Sequence, residues 1–538
     1  MITINDGAGG AAIQAALDSS PSANVLVLGT QALLEPLRMT SGQTLSGEGP
    51  QQTHLVAANT FNGPGIYVRA RGRGPRIDQA LVSGPGGAYR IQTDAYEFID
   101  LRNADALDLP AHPTLSISMF VRLDAAPATS SGRYPFLTCG SRRLWAEGYR
   151  LTQELAVTPA GALRVEIAVS SGPIVVQSAA GVLPVGSARH VAVDYDGATL
   201  RVWCGVPGQR STLVAVSDTV PARGGIVQNL EDTWTLGHMT QTAWETATLR
   251  AAPDITVDGL QIHTSKYAEL FTCPATKPTP TSQTYFTLNF DDVRGDCIVG
   301  KTRRNVDVWM PLERVIPVAG EQIFSARVRE LELVSNLGIR SKWAPMMRIE
   351  NVGIHGGRAQ LTLQHSFMSK VDSVQCSGTG RHRYGIALLG TSGICSLRDI
   401  GVACYGYGLI MGANSVVQNV FINGQQKAGV LIVGGDKDAG TSIYGVSVTD
   451  EFQAAPSEAA FMLSDLDTCE MFGCAVDFRT FDSPAIVADS RMREGTPKFT
   501  GTIALKTGGV APVVKSLGAS AQAIDLTGCV TKGRHPSS

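Results

Sequence analysis

The sequence predicts an all-β protein whose main body is a right-handed parallel β-helix, a solenoid of short strands. One pattern of three apolar positions recurs through the C-terminal half, and its copies begin at Val328, Ile349, Val371, Leu397, Val417, Ile443 and Met471. Subtracting successive positions gives repeats of 20 to 28 residues. A second apolar strand lies between copies, such as "GIALLG" at 385–390. Two or three short strands per turn of this length are typical of a solenoid.

Each copy reads apolar, two variable, apolar, one variable, apolar, as in "IENVGI" at 349–354. Helical repeats do not fit, because the segments are β-branched, flanked by glycine and too short. Leucine-rich repeats do not fit either, because their fixed Leu and Asn positions are absent. A parallel β-helix remains, with the two variable positions pointing away from the core.

The N-terminal residues predict a cap for this solenoid. "GAAIQAALD" at 10–18 favours a helix of about two turns, with Ile13 and Leu17 on one face. So short a helix is unstable alone in water and must pack on a neighbour. We expect it to cover the open end of the first coil, where a strand edge would otherwise be exposed.

Residues 85–272 break the repeat and alternate apolar and polar residues. "TLSISMFVRL" at 114–123 and "ITVDGLQIH" at 255–263 show this pattern, and residues 194–197 predict a hairpin turn. Alternation with frequent turns predicts an inserted β-sandwich of the jelly-roll type. The predicted division is a cap with first coils (1–84), the inserted sandwich (85–272), the main β-helix (273–500) and a closing segment with a tail (501–538).

Composition and charge exclude several classes of protein. Lys and Arg total 45 against 47 Asp and Glu, and no basic run is present, so we expect no nucleic-acid partner. No apolar run reaches the roughly 18 residues of a membrane span, so we expect no membrane insertion. The start "MITINDGAGG" lacks the features of a secretory signal, which predicts synthesis in the cytoplasm. The 10 cysteines form no CxxC pair, and no metal site is predicted from them.

The order "AIQAALD", "VLVLG", "SGQTLSGEG" and "THL" resembles the first coils of the pectate-lyase-like β-helix of bacteriophage tailspike and tail-fibre proteins. The inserted segment resembles laminin-G-like and concanavalin-type domains, through "YEFIDLRNADALDLPAHPTLSISMFVRL", "HVAVDYDGATLRVW", "WTLGH" and "ITVDGLQI". The resemblance implies a receptor-binding protein of the virion tail that recognises a bacterial surface polysaccharide. It also implies a homotrimer that contacts other phage tail proteins and is made in the host cytoplasm.

The sequence leaves open whether such a protein also cleaves the polysaccharide, as a glycoside hydrolase or a lyase. A non-catalytic adhesin or structural protein that binds glycan through the sandwich is the alternative. A cellular polysaccharide lyase is disfavoured, because no signal peptide and no calcium-binding Asp cluster are recognised.

Candidate catalytic carboxylates lie at the variable positions of the repeat. Glu350 and Asp372 occupy the same position on adjacent coils, and Asp399 lies one position over on the next coil. Carboxylates about 5 Å apart suit a retaining glycosidase, and a separation of about 6.5–9.5 Å suits an inverting one. A solvated polar ladder with Arg329 and Arg398 explains the same residues without chemistry, and the exposed charges of a solenoid favour that interpretation.

The segment "RHRYG" supplies candidate substrate-binding residues, whose cations would hold an acidic sugar; a plain turn is the alternative. These residues are Arg381, His382, Arg383 and Tyr384. No cofactor is expected, with calcium in the sandwich left open. Its candidate ligands, each as well explained as a turn or edge residue, are Asp105, Asp108, Asp194, Asp196 and Asp258. His355 and His365 are isolated in the sequence and receive no role, and no Ser/His/Asp motif is recognised.

Overall fold

The computed structural model confirms the all-β class, with a parallel β-solenoid as the main body. It describes all residues except 70–74, 93–96, 102–113, 128–132, 144–147, 222, 227–232, 238–252, 264–271, 283, 295–296, 303–304, 315–323, 336, 358, 379–383, 390–393, 404–405, 413–414, 426, 434–440, 452–456, 465–468, 490–497, 501–503, 507–512, 518–523, 528 and 533–538. Among the described residues, no helix is long and apolar enough to cross a membrane.

The first coils consist of one helix and short strands. These are β1 (Ile2–Ile4), α1 (Gly10–Asp18), β2 (Asn24–Val27), β3 (Thr30–Leu33), β4 (Leu37–Met39), β5 (Thr44–Ser46), β6 (His54–Ala57), β7 (Phe61–Asn62) and β8 (Ile66–Val68).

The middle of the chain forms longer strands. These are β9 (Ile77–Asp78), β10 (Ala88–Ile91), β11 (Glu97–Asp100), β12 (Leu115–Leu123), β13 (Tyr134–Arg143), β14 (Gly148–Val157), β15 (Leu163–Val169), β16 (Gly172–Gln177), β17 (Ala188–Tyr195), β18 (Leu200–Gly205), β19 (Thr212–Val216), β20 (Thr233–Gly237), β21 (Ile255–His263), β22 (Thr284–Leu288), β23 (Val293–Arg294), β24 (Cys297–Thr302) and β25 (Asp307–Arg314).

The later coils repeat a long and a shorter strand. These are β26 (Arg327–Val334), β27 (Ile339–Lys342), β28 (Arg348–His355), β29 (Ala359–Gln364), β30 (Lys370–Ser377), β31 (Tyr384–Leu389), β32 (Ser396–Ala403), β33 (Tyr407–Gly412), β34 (Val416–Asn423), β35 (Ala428–Val433), β36 (Thr441–Thr449), β37 (Ala459–Ser464), β38 (Cys469–Phe472), β39 (Ala475–Asp477), β40 (Ile486–Asp489), β41 (Lys498–Thr500), β42 (Ala504–Lys506), β43 (Val514–Leu517) and β44 (Val530–Lys532).

Two parallel sheets enclose the core of the solenoid. Sheet 1 has 16 strands, and its main path is β1-β2-β5-β26-β28-β30-β32-β34-β36-β39-β42-β44. Sheet 2 has 10 strands in the order β4-β8-β27-β29-β31-β33-β35-β37-β40-β43. Equivalent residues of successive coils lie side by side, as when Ile349 pairs with Val371 and Val352 with Val374. Apolar residues stacked in this way form the buried core.

Helix α1 covers the first coils through its apolar face, where Ile13 and Leu17 are fully buried. The Gln14 side chain accepts a hydrogen bond from the Arg38 N–H at 2.7 Å and donates one to the Arg38 carbonyl at 3.1 Å. Gln43 Nε2 donates to the Leu17 carbonyl at 2.6 Å. The Gln14 amide therefore satisfies backbone groups of β4, the first strand of sheet 2, and the helix shields that edge from another chain.

Between β8 and β26 the chain forms an antiparallel body with its own hydrophobic core. One group of strands pairs in the order β19-β18-β17-β12-β21, and a second in the order β16-β15-β14-β13-β20-β11. Strand β25 pairs with β24 on one side and with β11 of the second group on the other. Because β5 pairs directly with β26, the solenoid stacking continues across this insertion.

The antiparallel pairing extends beyond the predicted boundaries of 85 and 272. It begins at β9 and ends at β25, so strands β22 to β25 pair with the insertion, whereas the sequence assigned this part of the chain to the returning solenoid. The physical reason is their alternation: Phe286, Leu288 and Phe290 all enter the core of the insertion.

A buried ion pair joins the returning chain to the insertion. Lys277 Nζ lies 2.7 Å from Asp258 Oδ1 and donates to the carbonyls of Gly87 and Asn289, each at 2.7 Å. The Leu81 N–H donates to Asp258 Oδ2 at 2.9 Å. Burial raises the pKa of the Asp258 carboxyl, while Lys277 and backbone N–H groups act against that rise. Lys277 thereby connects four separate segments of the chain.

Replacing Lys277 should show how strongly this pair stabilises the insertion. We expect Lys277→Met to lower the free energy of unfolding by about 3–5 kcal/mol, because it leaves Asp258 buried without a cation. Lys427→Met is the control, since Lys427 pairs with an exposed Glu458, and we expect a loss below about 1 kcal/mol. Urea unfolding, monitored by tryptophan fluorescence and circular dichroism, measures the free energy of unfolding of both variants. Equal losses of stability in the two variants would contradict the prediction.

His190 should make the stability of the insertion depend on pH. Burial beside Phe120, with ring centroids 5.1 Å apart, lowers the pKa of His190 from 6.5 to about 4. Between these values the unfolded chain binds a proton that the folded chain does not, so stability falls as pH drops from 6.5 to 4. Over this pH range we expect the free energy of unfolding of His190→Gln to fall by on the order of 3 kcal/mol less than that of the parent chain. Urea unfolding at several pH values measures it, and identical pH dependence in both chains would contradict the prediction.

Candidate functional site

The outer face of sheet 1 carries the predicted carboxylates in register. Arg329 pairs with Glu350, Glu350 with Asp372, and Asp372 with Arg398. We call these four residues the ion-pair column. Neighbours in the column lie on adjacent strands, about 4.8 Å apart along the solenoid axis. The structure therefore places Glu350 and Asp372 side by side, at the spacing the repeat predicts.

The carboxylates of this region have basic neighbours. Arg398 Nη2 donates to Asp372 Oδ2 at 2.6 Å, and Arg398 Nε lies 3.5 Å from Asp399 Oδ2. Arg327 Nε lies 3.7 Å from Glu350 Oε2. The hydrogen bond from Arg398 to Asp372 raises the pKa of the guanidinium. The face thus presents fixed charges of both signs to solvent, which suits a polar or charged polymer.

A second column, which we call the left-handed column, has an unusual backbone. The second variable position of each copy adopts a positive φ between 51° and 62°, at Glu330, Asn351, Ser373, Asp399, Asn419, Gly445 and Gly473. A left-handed residue in each strand acts as a local bulge and redirects the side chains that follow. The sequence carries a signal for this conformation, because most of these positions hold Asn, Asp, Ser or Gly. Asn, Asp and Gly tolerate positive φ best.

Asp399 belongs to the left-handed column and is held there. Asn419 Nδ2 donates to Asp399 Oδ1 at 2.5 Å, and Asn351 Nδ2 donates to Glu330 Oε2 at 2.6 Å. Amides of one coil therefore bind carboxylates of the previous coil. This arrangement separates Asp399 from the column of Glu350 and Asp372.

Towards the C-terminal coils the same face becomes aromatic. Gln418 pairs with Tyr444, and Tyr444 with Phe472, whose rings stack with centroids 5.3 Å apart and planes at 10°. Tyr444 is 40% exposed, and Phe421 on the neighbouring strand is 47% exposed. We call Tyr444 and Phe472 the aromatic platform; Phe421 pairs with Gly401 and Ser447 and lies in another column. The repeat places Tyr444 and Phe472 at the same position of neighbouring coils, but sequence reasoning gave them no role, because their stacking depends on side-chain rotamers.

The structure describes only one of the four predicted substrate-binding residues at 381–384. Arg381, His382 and Arg383 lie outside the described residues. Tyr384 is buried on sheet 2, and its hydroxyl lies 3.1 Å from Thr362 Oγ1. The Tyr384 side chain therefore packs within the protein and does not extend into solvent beside the ion-pair column.

Of the calcium candidates, Asp194, Asp196 and Asp258 have protein partners, while Asp105 and Asp108 lie outside the described residues. Ser116 Oγ donates to Asp194 at 2.7 Å, and the Ala198 and Thr199 N–H groups donate to Asp196. In the part of the chain that the structure describes, no three His, Cys, Asp or Glu residues are grouped as metal ligands.

No protein-family model and no curated protein matches the chain. Solved structures match part of it. The CBM40 module of the Ruminococcus gnavus IT-sialidase, bound to α2,3-sialyllactose, is 12% identical with a TM-score of 0.24, over 36% of this chain and 95% of that one. A putative carbohydrate-binding protein from Bacteroides ovatus is 11% identical with a TM-score of 0.29, over 42% and 57%.

A pentraxin from Limulus polyphemus is similar at the same level, with 11% identity and a TM-score of 0.25, over 43% of this chain and 99% of that one. This chain therefore spans nearly the whole length of two of these structures and little more than half of the third. Likeness at these scores does not assign a function, because function depends on the site and not on the fold.

Proposed function

We propose that this protein binds a bacterial surface polysaccharide along the outer face of sheet 1, as a receptor-binding protein of the bacteriophage tailspike type. The observation that carries the proposal is the alignment of the aromatic platform with the ion-pair column. Sugar rings have apolar faces and polar edges, and a strip that offers both kinds of contact is complementary to them.

The length of the strip supports a polymer as the ligand. From Arg329 to Phe472 the register passes through six steps between neighbouring strands, which corresponds to about 29 Å. A single sugar would occupy only part of this distance. The resemblance of the first coils to tailspike proteins supports the virion role, and with it a homotrimer joined to other tail proteins.

Cleavage of the bound polysaccharide is the second candidate function. It is favoured by the register pairing of Glu350 with Asp372, which gives the two carboxylates that glycoside hydrolysis requires. In this case one would donate the proton to the leaving oxygen, and the other would act as nucleophile or activate water. The basic neighbours Arg327 and Arg398 are compatible with an acidic sugar beside the pair.

Removing the aromatic platform should weaken glycan binding. We expect Tyr444→Ala and Phe472→Ala each to weaken retention of the host polysaccharide about tenfold, or about 1.4 kcal/mol, because each removes a flat apolar contact. Phe324→Ala is the matched control, since Phe324 is exposed outside the platform. Binding to immobilised capsule or lipopolysaccharide measures this. Unchanged binding by both platform variants would contradict the proposal.

The carboxylate pair is tested by isosteric amides. If the polysaccharide is cleaved, we expect Glu350→Gln and Asp372→Asn each to lower turnover by several orders of magnitude, with a stability change of about 0.5 kcal/mol or less. Glu458→Gln is the control, because Glu458 is an exposed, ion-paired carboxylate on another part of the chain. Reducing-end release and unsaturated-product absorbance distinguish hydrolysis from elimination. Cleavage at the parent rate by both variants would show that Glu350 and Asp372 do not act in catalysis.

A further inference from the structure

Four side chains form a continuous polar chain on sheet 1. His355 Nδ1 lies 2.5 Å from Ser377 Oγ, and His355 Nε2 lies 3.4 Å from Glu332 Oε1. The other oxygen of Glu332 lies 2.5 Å from His54 Nδ1. These residues belong to strands β6, β26, β28 and β30. A serine, a histidine and a carboxylate therefore stand in the order nucleophile, base and orienting acid.

The register of the coils creates this arrangement, and Gly353 leaves room for it. His355 pairs with Ser377, while Glu332 pairs with Gly353 two residues before His355. A Cβ at Gly353 would lie 3.0 Å from His355 Nε2 and 3.6 Å from Glu332 Cγ. The imidazole thus lies beside the Gly353 backbone and spans the distance from Ser377 to Glu332.

We propose that Ser377, His355 and Glu332 form an acyl-transfer site that hydrolyses carboxylic esters. With the Nε2–H of His355 directed at Glu332, the lone pair of Nδ1 accepts the Ser377 hydroxyl proton. Glu332 is the positioning residue: it fixes this tautomer and stabilises the imidazolium that forms. His54 holds the second oxygen of Glu332, so the carboxylate has contacts on both sides.

The reaction has two balanced steps. Ser377 Oγ bonds to the ester carbonyl carbon as its proton passes to His355 Nδ1, and the bond from that carbon to the alkoxy oxygen then breaks. The leaving alkoxide takes the proton from His355, which leaves an acyl-serine and a free alcohol. Water then attacks the acyl carbon as His355 Nδ1 takes its proton, and the bond from that carbon to Ser377 Oγ breaks. His355 returns the proton to Oγ, which releases the carboxylic acid and restores Ser377.

The site can be reached from solvent by an ester that is part of a larger molecule. The His355 side chain is 36% exposed, the Glu332 side chain is 25% exposed and Ser377 is half-buried, so solvent reaches all three. Asp372 of the ion-pair column lies on the same strand as Ser377, five residues away, which is at most roughly 16 Å. If the proposed function holds, the substrate class is an O-acyl ester carried by the bound polysaccharide. The ester hydrolysis proposed here does not itself depend on polysaccharide binding.

The test uses the full-length chain with 4-nitrophenyl acetate and with a fluorophosphonate probe. We expect hydrolysis above the buffer rate and a single labelled peptide that contains Ser377. Ser377→Ala should abolish labelling, and both Ser377→Ala and His355→Gln should lower kcat/KM about 10²- to 10⁴-fold. Ser396→Ala is the matched control, because Ser396 is exposed on the next strand, outside the chain of four residues.

Two further variants separate positioning from folding. Glu332→Gln and Gly353→Ala should lower kcat with little change in KM, and should change the pH profile of kcat, while circular dichroism stays unchanged.

Hydrolysis by Ser377→Ala at the parent rate, or label on another residue, would overturn the proposal. Because 4-nitrophenyl acetate carries no sugar, activity without glycan retention would refute only the proposed polysaccharide, and retention without activity would refute only the esterase.

Discussion

The in-register hydrogen bonding between successive coils is the constraint on which the rest of this structure depends. A shift of one residue in β28, for example, would turn Ile349 or Val352 out of the core and bury a polar or charged neighbour. Each coil must therefore repeat the apolar spacing of the one before it. The same register aligns the outward side chains into columns, so packing of the core and assembly of the surface sites have one cause.

The repeated apolar spacing, the capping helix and the adjacency of Glu350 with Asp372 could all be predicted from the sequence, because each follows from local periodicity. The extent of the insertion could not. Residues such as Phe286 and Phe290 alternate as an edge of either body would, and only the core that they fill decides between the two. Lys277 illustrates the same limit, since the linker composition around it gives no sign of a buried partner.

The side-chain contacts within the surface sites were beyond sequence reasoning, although the repeat places their members on neighbouring coils. His355 is isolated along the chain, yet its ring lies against Ser377 and Glu332, which are 22 and 23 residues away. Tyr444 and Phe472 are 28 residues apart and stack. Contacts across coils depend on rotamers and on whether a small residue such as Gly353 leaves space, and neither is encoded in periodicity.

The left-handed column explains how two sites share one face. In a regular strand side chains alternate, so Glu350 and Val352 would point to the same side. The positive φ of Asn351 interrupts that alternation, and Val352 enters the core while Glu350 stays in contact with solvent. After the bulge the alternation resumes, which brings His355 out on the same side as Glu350. The bulge therefore lets each strand keep its apolar residues in the core. It also places the ion-pair column and the serine–histidine pair on the same outer face.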